Sequence, residues 1–202
     1  MRRRDRLWFS GLVVSLLMAA LPAIPVGAAT PVRFGARLTR FTEPTPAERC
    51  SQHGTIPDNK ACTWVAVVAS ENAGKHRAPK NGTIRRVRLI SCVAGSFTVQ
   101  VARKEPGRNR FKVVKSPRTI SYAADPRSQC GGEDFDDFRI QSFSTNFTVR
   151  QGDYIAVKAK RVGFMRNSSS GDTQLFEPPL GSSYRTRDTT TGAMLIQFQY
   201  AS

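Results

Sequence analysis

The sequence predicts an all-β fold: a two-sheet antiparallel sandwich, jelly-roll-like, with an immunoglobulin-like arrangement as the alternative. Three observations predict it. Apolar residues recur at period two along most of the chain, no long stripe at the helical 3.6-residue period appears, and Gly, Pro, Asn, Asp and Ser clusters punctuate the runs. Of the 202 residues 40% are hydrophobic, enough for a core, and the 15 Gly and 12 Pro are scattered rather than periodic, which excludes collagen.

The elements follow in order. Val32–Leu38 sets Val32, Phe34, Ala36 and Leu38 on one face and Arg33, Gly35 and Arg37 on the other. Ala61–Ser70 is a nearly continuous apolar run with Trp64, Val65, Val67 and Val68, as a strand buried on both faces requires. Ile84–Cys92 and Phe97–Arg103 flank Val93-Ala94-Gly95-Ser96 and read as a hairpin. Its inward set is Val87, Leu89, Phe97, Val99 and Val101, and Arg86, Arg88, Thr98 and Gln100 fall outward. Further strands are predicted at Phe111–Val114, Arg118–Tyr122, Phe138–Phe143, Asn146–Val149 and Tyr154–Lys160, with Gly152 supplying positive φ to the turn Arg150–Asp153. Ala193–Tyr200 closes the chain, with Met194, Ile196, Phe198 and Tyr200 alternating with Leu195, Gln197 and Gln199. Thr42–Asn59, Asp125–Asp137 and Arg166–Thr191 read as loops.

Residues 1–29 read as a secretory signal peptide: Arg2, Arg3, Arg4 and Arg6, then the apolar stretch Leu7–Leu21, then small residues at Val26–Ala29, with cleavage after Ala28 or Ala29. An uncleaved anchor is the competing reading, but the apolar run is short for a span and is followed by Pro22 and Pro25. Residues 30–60 then form an N-terminal strand and Pro-containing loop and 61–202 the sandwich, with 30–202 as one domain. The mature product is secreted or associated with the cell envelope, with no integral membrane segment once the signal is removed.

An exported chain makes its four cysteines legible as two disulfides. Among Cys50, Cys62, Cys92 and Cys130 three pairings are open; the reading favours Cys50–Cys62, which closes a short loop, and Cys92–Cys130. Zinc ligation would want a close C-x-x-C pair, which the sequence does not contain.

The formal charge is +16, from 31 Lys and Arg against 15 Asp and Glu. The signal takes away four Arg and one Asp, so the excess belongs to the mature chain. Most of it lies in Lys75–Arg118, where Glu105 is the single acid. Lys75, Arg77, Arg86, Arg88, Lys104, Arg108 and Arg110 are the candidate residues for an anionic polymer, because guanidinium groups pair in a planar, bidentate way with carboxylate, phosphate or sulfate. The partners this implies are an anionic polysaccharide or other envelope polymer, with nucleic acid bound only non-specifically. A merely solvated basic face is the competing reading.

Glu133, Asp134, Asp136 and Asp137, after Cys130-Gly131-Gly132, offer oxygen ligands for a structural Ca2+, although their spacing does not match the twelve-residue calcium loop. No other cofactor is implied. Catalysis has thin support. His53 and His76 are the two histidines, neither near a nucleophile signature, and charge beside His76 disfavours its protonation. Small jelly-roll alginate lyases carry R-x-E-x-R, Q-I-H and Y-x-K-x-G strands; Arg86-Val87-Arg88 lacks the glutamate and Ile196-Gln197-Phe198 the histidine. Trp64 reads as core rather than as a sugar platform, while Tyr122, Tyr154 and Tyr184 are the remaining aromatic candidates for sugar stacking.

Cys62-Thr63-Trp64-Val65, Gly82-Thr83-Ile84 leading to Val87-Arg88-Leu89, Gly152-Asp153-Tyr154-Ile155-Ala156-Val157, Pro178-Pro179-Leu180 and the Leu195–Tyr200 strand resemble uncharacterised exported β-sandwich proteins of high-GC Gram-positive bacteria. The resemblance implies a sandwich and no particular activity. The functional expectation is a secreted, non-enzymatic domain that associates with anionic surface polymers. The alternatives are a glycan-active hydrolase or lyase using loop carboxylates, and a structural envelope domain without a ligand of its own.

Overall fold

The computed structural model of the chain describes residues 30–39, 44–45, 47–53, 57, 59–67, 75–125, 138–166 and 172–201. The expected signal peptide, Cys130 and the acidic run from Glu133 to Asp137 lie outside the described residues. In chain order the strands begin with β1 (Arg33–Gly35) and β2 (Glu48–Arg49), then a 3-10 turn at Cys50–Gln52 and β3 (Cys62–Ala66). The middle of the chain forms β4 (Gly82–Leu89), β5 (Gly95–Lys104), β6 (Arg110–Lys115), β7 (Thr119–Tyr122), β8 (Gln141–Val149) and β9 (Tyr154–Ala159). Shorter pieces follow: β10 (Arg161–Val162), β11 (Met165–Arg166), β12 (Thr173–Phe176), β13 (Arg185–Thr186), β14 (Thr189–Thr191) and β15 (Ala193–Met194), before β16 (Ile196–Tyr200). The fold is all-β, and no helix among the described residues is long and apolar enough to cross a membrane.

Two antiparallel sheets dominate. The small sheet has the order β1-β16-β4-β8; the large one runs β13-β6-β5-β9-β3-β12-β14, with β7 also pairing with β5. One apolar cluster draws on both: Phe34, Val87, Leu89, Phe147 and Phe198 from the small sheet meet Trp64, Phe97, Val99, Val101, Ile155, Val157 and Leu175 from the large one. Strand pleating sends these alternate side chains to one face, and burying each contributes about 1.5–3 kcal/mol. Phe198 sits at the centre of the small sheet's share, edge-on to Phe34 at 5.4 Å and to Phe147 at 5.3 Å.

The large sheet is covered on its other face as well. Val65, Ala102, Phe111, Tyr154, Ala156, Phe176 and Leu180 form a second cluster there, with Phe111 edge-on to Tyr154 at 5.1 Å. The segment after β12 lies over them: the Leu180 amide donates to Thr63 Oγ1 at 3.0 Å and the Val113 amide to the Gly181 carbonyl at 2.7 Å. This double cover is why β3 is buried at all five positions, as its unbroken apolar run predicts.

The structure corrects three expectations. β4 and β5 do not form a hairpin: β4 pairs with β16 and β8, while β5 pairs with β6, β7 and β9. Residues 90–94 carry the chain from one sheet to the other, fixed by Ser91, whose single hydroxyl hydrogen is shared between the carbonyls of Val93 and Gly163. The inward residues are the same in either arrangement, so alternation alone does not choose between them. Residues 166–191 are not a loop; they contain β12, a fully buried strand between β3 and β14. Finally, the strands expected at Phe138–Phe143 and Asn146–Val149 are one strand, β8, with a register shift against β4 between Ile84 and Arg86.

Cys50 and Cys62 form a disulfide, as the sequence reading favours. Cys92 is also disulfide-bonded. Trp64 is fully buried, with the His53 ring edge-on at 5.9 Å.

Candidate functional site

Three loops meet at one end of the molecule, and backbone hydrogen bonds lace two of them together. The turn between β8 and β9 is set by Gly152 at φ +86° and closed by the Asp153 amide donating to the Arg150 carbonyl at 3.0 Å. The segment before β4 is bound to it: the Ala78 amide donates to the Asp153 carbonyl (2.8 Å), the Gly152 amide to the Ala78 carbonyl (2.9 Å), and the Gln151 amide to Asn81 Oδ1 (2.8 Å). Opposite stands the turn between β5 and β6, where Gly107 takes φ +72° and the Glu105 amide donates to the Arg110 carbonyl at 2.8 Å.

Between these loops lies an open cleft of about 720 Å³, its charged walls made by Arg77, Arg103, Lys104, Arg108 and Asp153. A second groove of about 510 Å³, lined by Lys75, His76 and Arg77, continues from it past Gln151 and Gly152. Of the seven sequence-predicted cationic residues, the fold therefore brings Lys75, Arg77, Lys104 and Arg108 to one place. Arg110 is nearby but engaged, in an ion pair with Glu105 at 3.1 Å and donating to the Tyr184 carbonyl at 2.9 Å. Arg86 and Arg88 sit elsewhere, on the outer face of the small sheet, because β4 belongs to that sheet and β5 does not. The seven residues, grouped by sequence as one candidate site, thus lie on two separate surfaces.

Both carboxylates of the cleft are already paired. Asp153 is 2% exposed and accepts from Arg103 Nε at 2.7 Å, Arg103 Nη2 at 3.0 Å and the Arg150 amide at 2.7 Å. The hydrogen bonds to Asp153 hold Arg103 even more firmly protonated than usual, against the opposing effect of burial. Lys75, Arg77, Lys104 and Arg108 are exposed and have no carboxylate partner among the described residues. Burial, helped by the Arg77 charge, lowers the pKa of His76, so the imidazole stays neutral where an ordinary histidine would begin to titrate.

The aromatic candidates for sugar stacking are spoken for. Tyr122 is buried, accepting the Gly163 amide at 3.0 Å, and burial pushes its phenol up. Tyr154 faces away from the main core, as its alternation implies, yet is buried in the second cluster. Tyr184 is half-buried beneath Lys112, whose Nζ stands 4.5 Å from the ring centre. His53 binds Glu48 Oε2 at 3.0 Å, an oxygen that also accepts from Thr191 Oγ1, so this dyad ties β2 to β14. Among the described residues no three His, Cys, Asp or Glu side chains gather as metal ligands, and the proposed calcium ligands lie outside those residues.

Sequence reasoning missed Arg103 and Asp153, whose pairing depends on two strands adjacent only in the fold, and also Arg33, Gln197 and Gln199. The alternation of Gln197 and Gln199 with Ile196 and Phe198 was a usable signal for an outward polar row. No family model, no curated protein and no solved structure matches this chain.

Proposed function

We propose that this chain is a secreted, non-enzymatic β-sandwich of the jelly-roll kind that associates with anionic cell-surface or extracellular polymers of the acidic-glycan type. One observation carries the reading: Lys75, Arg77, Lys104 and Arg108 crowd an open, backbone-laced loop end whose two carboxylates are consumed by Arg103 and Arg110. Arg77, Lys104 and Arg108 line one cleft and Lys75 the groove beside it, so a polyanion crossing this end meets them together. An open cleft suits a polymer passing across it better than an enclosed small molecule. The formal charge, +16 for the whole chain and +13 without residues 1–29, adds long-range attraction, and the Cys50–Cys62 bond agrees with an oxidising compartment.

A glycan array read at two salt concentrations tests this. The purified protein should bind acidic glycans at low salt and release them at several-fold higher ionic strength, leaving neutral glycans unbound. Salt-insensitive binding to neutral glycans would overturn the reading, as would release of new reducing ends from any glycan on the array.

A further inference from the structure

The outer face of the small sheet carries a second, differently built cationic surface. Cross-strand partners in an antiparallel sheet share a face. One row therefore reads Arg33, Gln199, Arg86, Ser144 across β1, β16, β4 and β8, and the next reads Gly35, Gln197, Arg88, Ser142. Rows lie about 6.8 Å apart along a strand and neighbours within a row about 4.8 Å apart. None of the four strands contains an acidic residue.

Two of the three arginines, Arg88 and Arg33, are held in place. Arg88 Nη1 donates to Gln197 Oε1 at 2.7 Å, and Gln197, only 7% exposed, is itself fixed by donating from Nε2 to the Ala36 carbonyl at 2.8 Å. Arg33 Nε donates to Gln199 Oε1 at 3.3 Å. Burial, and after it the charges of Arg33 and Arg86, lower the pKa of Arg88, and it has no ion-pair partner among the described residues. A guanidinium oriented in advance loses little freedom on meeting an anion.

We infer that this face docks a carboxylate-bearing polysaccharide laid across β1, β16 and β4. The inference rests on the polyanion reading above and names its substrate class. Charge complementarity selects the anion, and the planar guanidinium fork matches a planar carboxylate through paired N–H···O bonds. The amide of Gln199 and, at the β8 edge, the exposed hydroxyls of Ser142 and Ser144 suit the sugar hydroxyls between successive carboxylates, while Gln197 serves to orient Arg88. Nucleic acid fits less well, since Phe34, Phe147, Phe198 and Tyr200 all turn into the core and leave no stacking platform on these strands. A lipid surface fits less well too: Val32 is the one large hydrophobic side chain exposed among the described residues.

The test compares two charge-matched variants of the full chain, R33Q/R86Q on the sheet face and K104Q/R108Q in the cleft, by calorimetric titration with polygalacturonate, dextran sulfate and single-stranded DNA. R33Q/R86Q should keep its thermal midpoint and lose about tenfold in affinity for polygalacturonate while changing little toward the other two. K104Q/R108Q should weaken all three alike. R88K, which keeps the charge and loses the fork, should also weaken polygalacturonate selectively. Equal weakening of every polyanion by R33Q/R86Q, no weakening at all, or a selective loss of DNA would overturn the inference and leave the polyanion reading standing. Failure of the unaltered protein to bind any of the three would remove that reading and the inference with it.

Discussion

Replacing Asp153 by Ala removes the carboxylate that neutralises the cleft's most buried cation. The lost contacts are two charge-assisted hydrogen bonds from Arg103, at 2.7 and 3.0 Å, and one from the Arg150 amide at 2.7 Å. Breaking a buried pair by deleting one partner costs about 3–5 kcal/mol. The Arg103 side chain is 31% exposed and recovers some hydration, which places the cost at the low end, about 3 kcal/mol. For a domain of this size that lowers the thermal midpoint by about 6–12 °C. Arg103→Met strands the carboxylate instead, and the double variant should be less damaged than the two singles added together, by more than about 1 kcal/mol. Thermal melts of the four proteins read both quantities. The freed Arg103 also adds an unpaired cation, so Asp153→Ala should bind dextran sulfate at least as tightly as the parent. A midpoint shift under about 2 °C, additive single effects, or weaker polyanion binding would refute the reasoning.

Two further outcomes follow from the fold. Gly35 adopts φ +103°, and a Cβ there would stand 2.4 Å from the Ile196 carbonyl oxygen and 2.6 Å from Ile155 Cδ1; Gly35→Ala should cost about 3 kcal/mol from left-handed strain and overpacking, read as a lower urea midpoint. His76 has a folded pKa below its ordinary 6.5, so the unfolded chain takes up its proton first and the stability present above about pH 6.5 is lost as pH falls toward the folded value. Urea midpoints at pH 7.5 and pH 5 should show that loss, and His76→Asn should reduce it.

The core was legible in the sequence because pleating makes burial a local property. Val87, Leu89, Phe97, Val99 and Val101 all point inward as their alternation requires, and Trp64 lies in a strand covered on both faces. Which strands pair is not local. Gly95 marks the end of a connection, but the five residues from Ile90 to Ala94 serve a crossing between sheets as well as they serve a hairpin, and they lack the two-residue turn chemistry that would decide it. That single ambiguity moved Arg86 and Arg88 away from Lys104 and split one expected site into two. β12 was hidden for a different reason: Thr173 and Gln174 are buried polar residues, and a four-residue strand between Ser-, Gly- and Pro-rich flanks carries too little alternation to stand out. The gathering of Lys75 with Arg108 follows from hydrogen bonds between the 75–81 and 150–153 segments and from the β5–β9 pairing, contacts distant in sequence for which composition holds no signal.

The claim on which the account turns is that unpaired cations at the surface, rather than any shaped apolar pocket, confer binding. Calorimetric titration of the unaltered protein with polygalacturonate in dilute buffer and again at about tenfold higher salt measures it directly. The account predicts measurable affinity in the first condition and a loss of about tenfold or more in the second, as screening shortens from about 30 Å to about 10 Å. Equal affinity in both, or none in dilute buffer, would contradict it.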